Sequence, residues 1–211
     1  MTIDGISAMK WKIAGAENPI YANEVLWNAA LGEFSGHSFG ESSLNDILKT
    51  AGINKGSFYY RFNDKKDLYL SVFSRLADEK LELFLQYDHE NADVDFFESI
   101  RTRALIGTRF ARKDPRYGAL GHKFLAEDPG FRDSVHAEFG GMSENFLIRM
   151  VGDAQKIGQI RADISAEVLA TVFSILLERI DRMITPEMDD AQILLAVEKL
   201  ISVLRDGTAV A

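Results

Sequence analysis

LNDILKTAGINKGSFYYRFNDKKDLYL, residues 44–70, is the stretch on which the fold turns. Leu44, Ile47, Leu48 and Ala51 recur at i, i+3, i+4 and i+7, the spacing of one apolar helix face. Gly52 follows where a helix end calls for a left-handed residue. Asn54 is placed to accept the backbone N–H of Ser57 and so to cap a second helix. In that second helix Phe58 and Phe62 form the inward side, four residues apart. Lys55, Ser57, Tyr59, Tyr60 and Arg61 furnish hydrogen-bond donors on the remaining surface. A donor-rich short helix braced by its predecessor across a tight turn suits the DNA major groove.

Working outward, the pattern predicts helices on both sides. A first helix starts at Pro19 or Ile20 and reaches Phe34, with Val25, Leu26, Ala29, Ala30 and Phe34 as its stripe. Asp64 is a candidate N-cap for a long helix to about Tyr87, which uses Leu68, Val72, Leu76 and Leu83. The polar run DHENADVD, residues 88–95, breaks it. The next helix spans about 95–113, because Asp114 precedes a proline and avoids the helical region. A short helix over 116–127 is closed by Asp128-Pro129-Gly130. One long helix is expected from Phe131 to Ile157, interrupted in propensity at Gly140-Gly141 and capped by Gly158. A helix capped by Ser165 or Asp163 carries apolar residues to Ile184 and stops at Thr185-Pro186. The last runs from about Asp189 to Arg205. No strand alternation or hairpin signal interrupts this series, so the expected fold is all-α.

Composition narrows the function. Apolar residues make up 46% of the 211, as in a folded globular chain. There is no cysteine, which removes disulfides and thiol chemistry and suits a reducing compartment. No apolar run approaches transmembrane length, and the start, MTIDGISAMKWKIAGAENP, lacks the build of a signal peptide, so a cytoplasmic location is expected. The net charge of −8 argues at first against nucleic acid. Its distribution reverses that argument. Residues 1–66 hold seven basic and seven acidic side chains, and residues 42–66 hold five against two. The negative excess lies after residue 66, which leaves a local positive surface for phosphate.

The segment AGINKGSFYYRFNDKKDL, residues 51–68, resembles the signature of the TetR family of bacterial transcriptional regulators. Ala51-Gly52, Gly56-Ser57, Phe58, Tyr59, Phe62, Lys65 and Leu68 carry the resemblance without a gap. The connection GHSFGESS is about two residues longer than usual in the family, and the last two-thirds of the chain is similar only in length and helical character. Residues 1–18, of mixed composition with Gly5 and Gly15, read as a flexible N-terminal arm. The resemblance implies a helix-turn-helix DNA-binding domain over 19–66 and a helical ligand-binding and dimerisation domain over 67–211 joined to it by the long helix. It implies that Lys55 and Ser57 meet base edges and that Gly56 permits close backbone approach. Tyr59 and Tyr60 stand where the family contacts phosphate. Arg61, where His or Tyr is more common, and Lys65 would add to that contact, as would Ser43 at the start of the preceding helix.

The family resemblance also implies a pocket for a small-molecule inducer. Phe110, Tyr117, Phe124, Phe139, Met142, Phe146 and Phe173 are candidates to line it, with Arg103, Arg109 and His122 to orient a polar group. The final two helices would pair with their copies in a homodimer, through Val168, Val172, Leu176, Ile180, Ile193, Val197, Leu200 and Leu204. Expected partners are therefore a near-palindromic double-stranded DNA operator, a second copy of the chain and an inducer, with no membrane. The expected function is a repressor released by that inducer. A helical sensor of the same fold acting through protein contacts is the competing reading. No enzyme is expected. The four histidines, His37, His89, His122 and His136, show no metal-binding spacing, and no phosphate loop or nucleophile elbow is present, so no cofactor or metal is called for.

Overall fold

Capping side chains set most helix boundaries of this protein, whose computed structural model describes residues 17–90, 94–139, 142–178, 180, 183–185 and 187–208. The arm expected over 1–18 lies outside the described residues except for its last two. Among the described residues there are eleven helices and no sheet. The single first helix expected from the apolar stripe is two: α1, Pro19–Ala22, and α2, Glu24–Gly36. Asn18 caps α1 by accepting the Ile20 N–H at 3.0 Å. Asn23 leaves the helical region (φ −113°, ψ 91°) and caps α2, accepting from Val25 and Leu26. Asn23 is thus the last cap of α1, through its backbone N–H to Pro19, and the first cap of α2, through its side chain.

The deciding stretch folds as its spacing predicts. In α3, Leu44–Ala51, Ser43 accepts the Asp46 N–H, and Gly52 ends the helix at φ 65°. The Ile53 N–H reaches back to the Leu48 carbonyl at 2.9 Å, the six-to-one bond of a left-handed cap. Asn54 accepts the Ser57 N–H at 2.8 Å and opens α4, Lys55–Arg61. Asp64 accepts the Asp67 N–H at 2.9 Å at the head of α5, Lys65–Glu90.

Beyond α6, Phe96–Lys113, two aspartate-proline pairs act as starts as well as stops. Asp114 caps α7, Pro115–Ala126, and Asp128 caps α8, Pro129–Glu138, with proline in the first turn each time. The long helix expected over 131–157 is therefore corrected to α8 and α9, Met142–Lys156. Phe139 already departs from helical geometry (φ −85°, ψ 0°), and Gly140-Gly141 lie outside the described residues. Gly158 takes the left-handed cap expected of it, at φ 75°. Ser165 precedes α10, Ala166–Glu178, which stops short of Ile184, and α11 spans Asp190–Thr208.

The chain forms two compact units, and α5 and α6 each begin in one and end in the other. The first takes in residues up to Glu82 together with Phe110–Gly140. Its core joins Leu26, Phe34, Ile47, Phe58, Phe62 and Leu68 to Leu120 and Phe124 of α7 and Val135 of α8. The helix-turn-helix thus shares its apolar interior with a segment some fifty residues further along the chain. Within the same unit, Arg75 of α5 lies over the Trp27 ring at 4.3 Å and donates to the Ile20 carbonyl at 2.7 Å. The second unit has its own core, with Phe96, Ile100, Val151, Phe173, Ile193, Val197 and Leu204.

Candidate nucleic-acid interface

Phe58 and Phe62 fix the orientation of α4. They are 1% and 2% exposed, with ring centroids 5.1 Å apart and near parallel. Burying them leaves the other side chains of the helix outside. Tyr59 is 49% and Tyr60 76% exposed, and Lys55, Ser57 and Arg61 are exposed as well. Tyr59 and Tyr60 thus present amphipathic side chains, each with an apolar ring and a polar hydroxyl, to the surface. Tyr59 packs edge-on against Phe58 at 5.1 Å, which limits where its hydroxyl can point.

Gly56 matters for space. A Cβ there would come within 3.3 Å of Asn54 Oδ1, the oxygen that caps the helix. Glycine therefore keeps the cap undisturbed and leaves the first turn of α4 bare for close approach. Ser57 presents its hydroxyl while its backbone N–H is taken by Asn54. Ser43 sits at the head of α3 with its hydroxyl oxygen capping Asp46 and its own N–H donating to Glu33 Oε1 at 2.7 Å.

Lys65 differs from its sequence expectation. It is half-buried, and its ammonium donates to the Phe39 carbonyl at 2.5 Å and the Ser42 carbonyl at 2.8 Å. Burial holds it below the ordinary lysine value, against the opposing pull of Glu33 and Glu127. Two of its three donors are spent inside the protein, so it fastens the loop before α3. Spacing alone could not reveal this, because the accepting carbonyls lie 26 and 23 residues away.

The residues expected to line an inducer pocket divide between the two compact units. In the first unit, the rings of Phe110 and Tyr117 are 5.1 Å apart, and the Tyr117 hydroxyl meets Glu79 at 3.5 Å. Phe124 packs on Phe73 and on His136, Phe139 rests against the same core, and His122 is exposed. In the second unit, the Arg103 guanidinium lies 5.1 Å from the Phe146 ring and 5.2 Å from that of Phe84, a neighbour the sequence did not single out. Phe173 packs on Phe96 in the core, and Arg109 is exposed. The Met142 side chain lies outside those described.

The residues expected at a dimer contact also divide. Val168 and Val172 of α10 are exposed, and Leu176 and Ile180 are half-buried. Ile193, Val197, Leu200 and Leu204 of α11 are buried in the core of their own unit. The apolar stripe of α11 read from the sequence is its inward side. Its exposed large apolar side chains are Leu195 and Val203, and Ile175 is exposed on α10. Among the described residues, no group of His, Asp and Glu is arranged to hold a metal ion, and no helix is long and apolar enough to cross a membrane.

Comparison with known proteins matches the helix-turn-helix segment and the all-α fold. Residues 26–72 match the family described as bacterial regulatory proteins, tetR family, a span that begins in α2 and ends in α5. The chain is 23% identical over 151 residues to the probable acrEF/envCD operon repressor of Escherichia coli (strain K12), covering 70% of this chain and 68% of that one. A TetR family transcriptional regulator from Chloroflexus aurantiacus superposes with a TM-score of 0.69 at 24% identity, over 89% of this chain and 93% of the other. The transcriptional regulator FadR from Bacillus subtilis, in complex with stearoyl-CoA, superposes with a TM-score of 0.70 at 13% identity, over 87% and 98%. Residues 26–72 are thus a TetR-family helix-turn-helix segment, set in an all-α architecture shared with solved regulators of that family.

Proposed function

We propose that this protein is a homodimeric repressor, acting in the cytoplasm, that leaves a near-palindromic operator when a small molecule binds. The observation that carries the DNA-binding part is the exposed surface of α4, where Lys55, Ser57, Tyr59, Tyr60 and Arg61 surround the bare Gly56. Lys55 and Ser57 read base edges, and Tyr59, Tyr60 and Arg61 hold phosphates. Residues 19–66 are the reading domain, and residues 67–211 carry the response and the dimer contact. Repression is supported by the E. coli relative, which is named as a repressor.

A ligand response is supported by the FadR complex, in which a relative of the same fold holds stearoyl-CoA. The aromatic neighbourhoods around Phe110 and Tyr117 and around Arg103 and Phe146 suit an inducer with apolar surface. Dimerisation is supported by Ile175, 57% exposed, and Val203, 68% exposed, which leave apolar surface on α10 and α11. Genome-wide mapping of bound sites in the source bacterium tests the proposal. It is expected to return one two-fold symmetric motif upstream of a few genes, and recovery of no shared motif would refute it.

A further inference from the structure

The loop between α2 and α3, residues 37–43, delivers Ser43 and the start of the helix-turn-helix. Three charged side chains from three separate elements grip its backbone. Glu127, directly after α7, accepts the Phe39 N–H at 2.6 Å. Lys65, the first residue of α5, donates to the Phe39 and Ser42 carbonyls. Glu33 of α2 accepts the Ser43 N–H. Both backbone polar groups of Phe39 are therefore bound by side chains, one of them 88 residues away.

The Phe39 ring is held just as closely. It stacks on Phe131 of α8 at 4.5 Å, meets Tyr69 of α5 edge-on at 5.1 Å, and lies 4.5 Å from the Lys65 ammonium. Next to it, Lys66 donates to Ser134 of α8 at 3.2 Å. Glu33 and Glu127 flank the half-buried Lys65 charge and offset its burial. A surface loop ordinarily spends its polar groups on water. This one is tied to α5, α7 and α8 together.

We propose that Glu127 and Phe131, acting with Lys65, form a latch by which segment 114–139 sets the conformation of the 37–43 loop. Glu127 is then a positioning residue for DNA binding. Latched, the loop holds Ser43 and α3 so that α4 enters the groove. Released, it lets α3 and α4 tilt, and operator affinity falls although no DNA-contacting side chain has changed. This inference rests on the DNA-binding reading of α4.

Full-length Glu127→Leu, Glu127→Gln and Phe131→Leu test the latch by two measurements. The first is amide hydrogen exchange at residues 39–43 without DNA. The second is affinity, across several salt concentrations, for a DNA fragment that the wild-type protein selects from a random pool. Glu127→Leu is expected to speed exchange of the Phe39 amide about tenfold or more and to weaken binding about tenfold, through loss of one charge-assisted hydrogen bond. Its salt slope is expected to match wild type, because no phosphate contact is lost. Glu127→Gln accepts the same N–H and is expected to restore both readouts. Phe131→Leu keeps apolar bulk, removes the stack and is expected to weaken binding in the same direction, which carries the test should Glu127→Leu not fold. Wild-type affinity in Glu127→Leu, or faster exchange without weaker binding, overturns the latch. So does a slope reduced by about one, which would place the effect at a phosphate. If the wild-type protein selects no sequence, the DNA-binding reading itself has failed, whereas the exchange rates still report whether the loop is latched.

Discussion

Lys55 and Lys65 are both cations of the reading head, yet their surroundings assign them opposite work. Lys55 is exposed in the first turn of α4, and Lys65 is spent on two backbone carbonyls. Lys55→Ala is expected to cost about 1–3 kcal/mol on the preferred sequence and to flatten preference among sequences, measured by anisotropy on a panel of single-base variants. Its thermal stability should stay at the wild-type value. Arg61→Ala is expected to weaken all sequences alike and to lower the salt slope by about one. The residue types on α4 were readable from the sequence, because the Phe58 and Phe62 spacing fixed the inward side. The duty of Lys65 was not, because its partners come from a loop whose path depends on α7 and α8.

At the scale of elements, periodicity located the helices and polar caps decided where they break. One apolar stripe runs through α1 and α2, but Asn23 divides it, its side chain accepting the Val25 and Leu26 amides in place of backbone carbonyls. Asn54→Ala is expected to cost about 1 kcal/mol in thermal or denaturant unfolding, through loss of the bond to Ser57. Asp114 makes a pH-dependent contribution. Its carboxyl lies below the ordinary value of 3.8, first because the Arg116 side chain donates to it. The stability it adds is complete above that ordinary value and fades as pH falls through the lower folded-state value. Asp114→Asn keeps a capping oxygen and loses the charge. Its stability deficit should therefore be present at neutral pH and shrink below about pH 4, as followed by melting temperature.

At the scale of the molecule, the reading head is not confined to the segment that announces it. Its core draws on Leu120, Phe124 and Val135, and its α2–α3 loop on Glu127 and Phe131. Long-range pairing of this kind leaves no local pattern, which is why residues 110–140 read from sequence only as part of a helical remainder. The proposed dimer contact shows the same limit. Wide apolar faces were visible on the last two helices, but which stripe fills the monomer core is settled by packing. Ile175→Asp with Val203→Asp is expected to shift sedimentation toward the monomer and to weaken operator binding together, since half-sites are then bound singly.

The central claim, that the surface of α4 reads DNA sequence, is tested most directly by titrating the wild-type protein against its selected fragment and a scrambled copy at several salt concentrations. The account predicts affinity for the selected fragment at least about a thousandfold above that for the scrambled one, a steep fall of both with salt, and loss of most of the difference in Lys55→Ala. Equal affinity for the two fragments, or a difference that Lys55→Ala leaves intact, would contradict it.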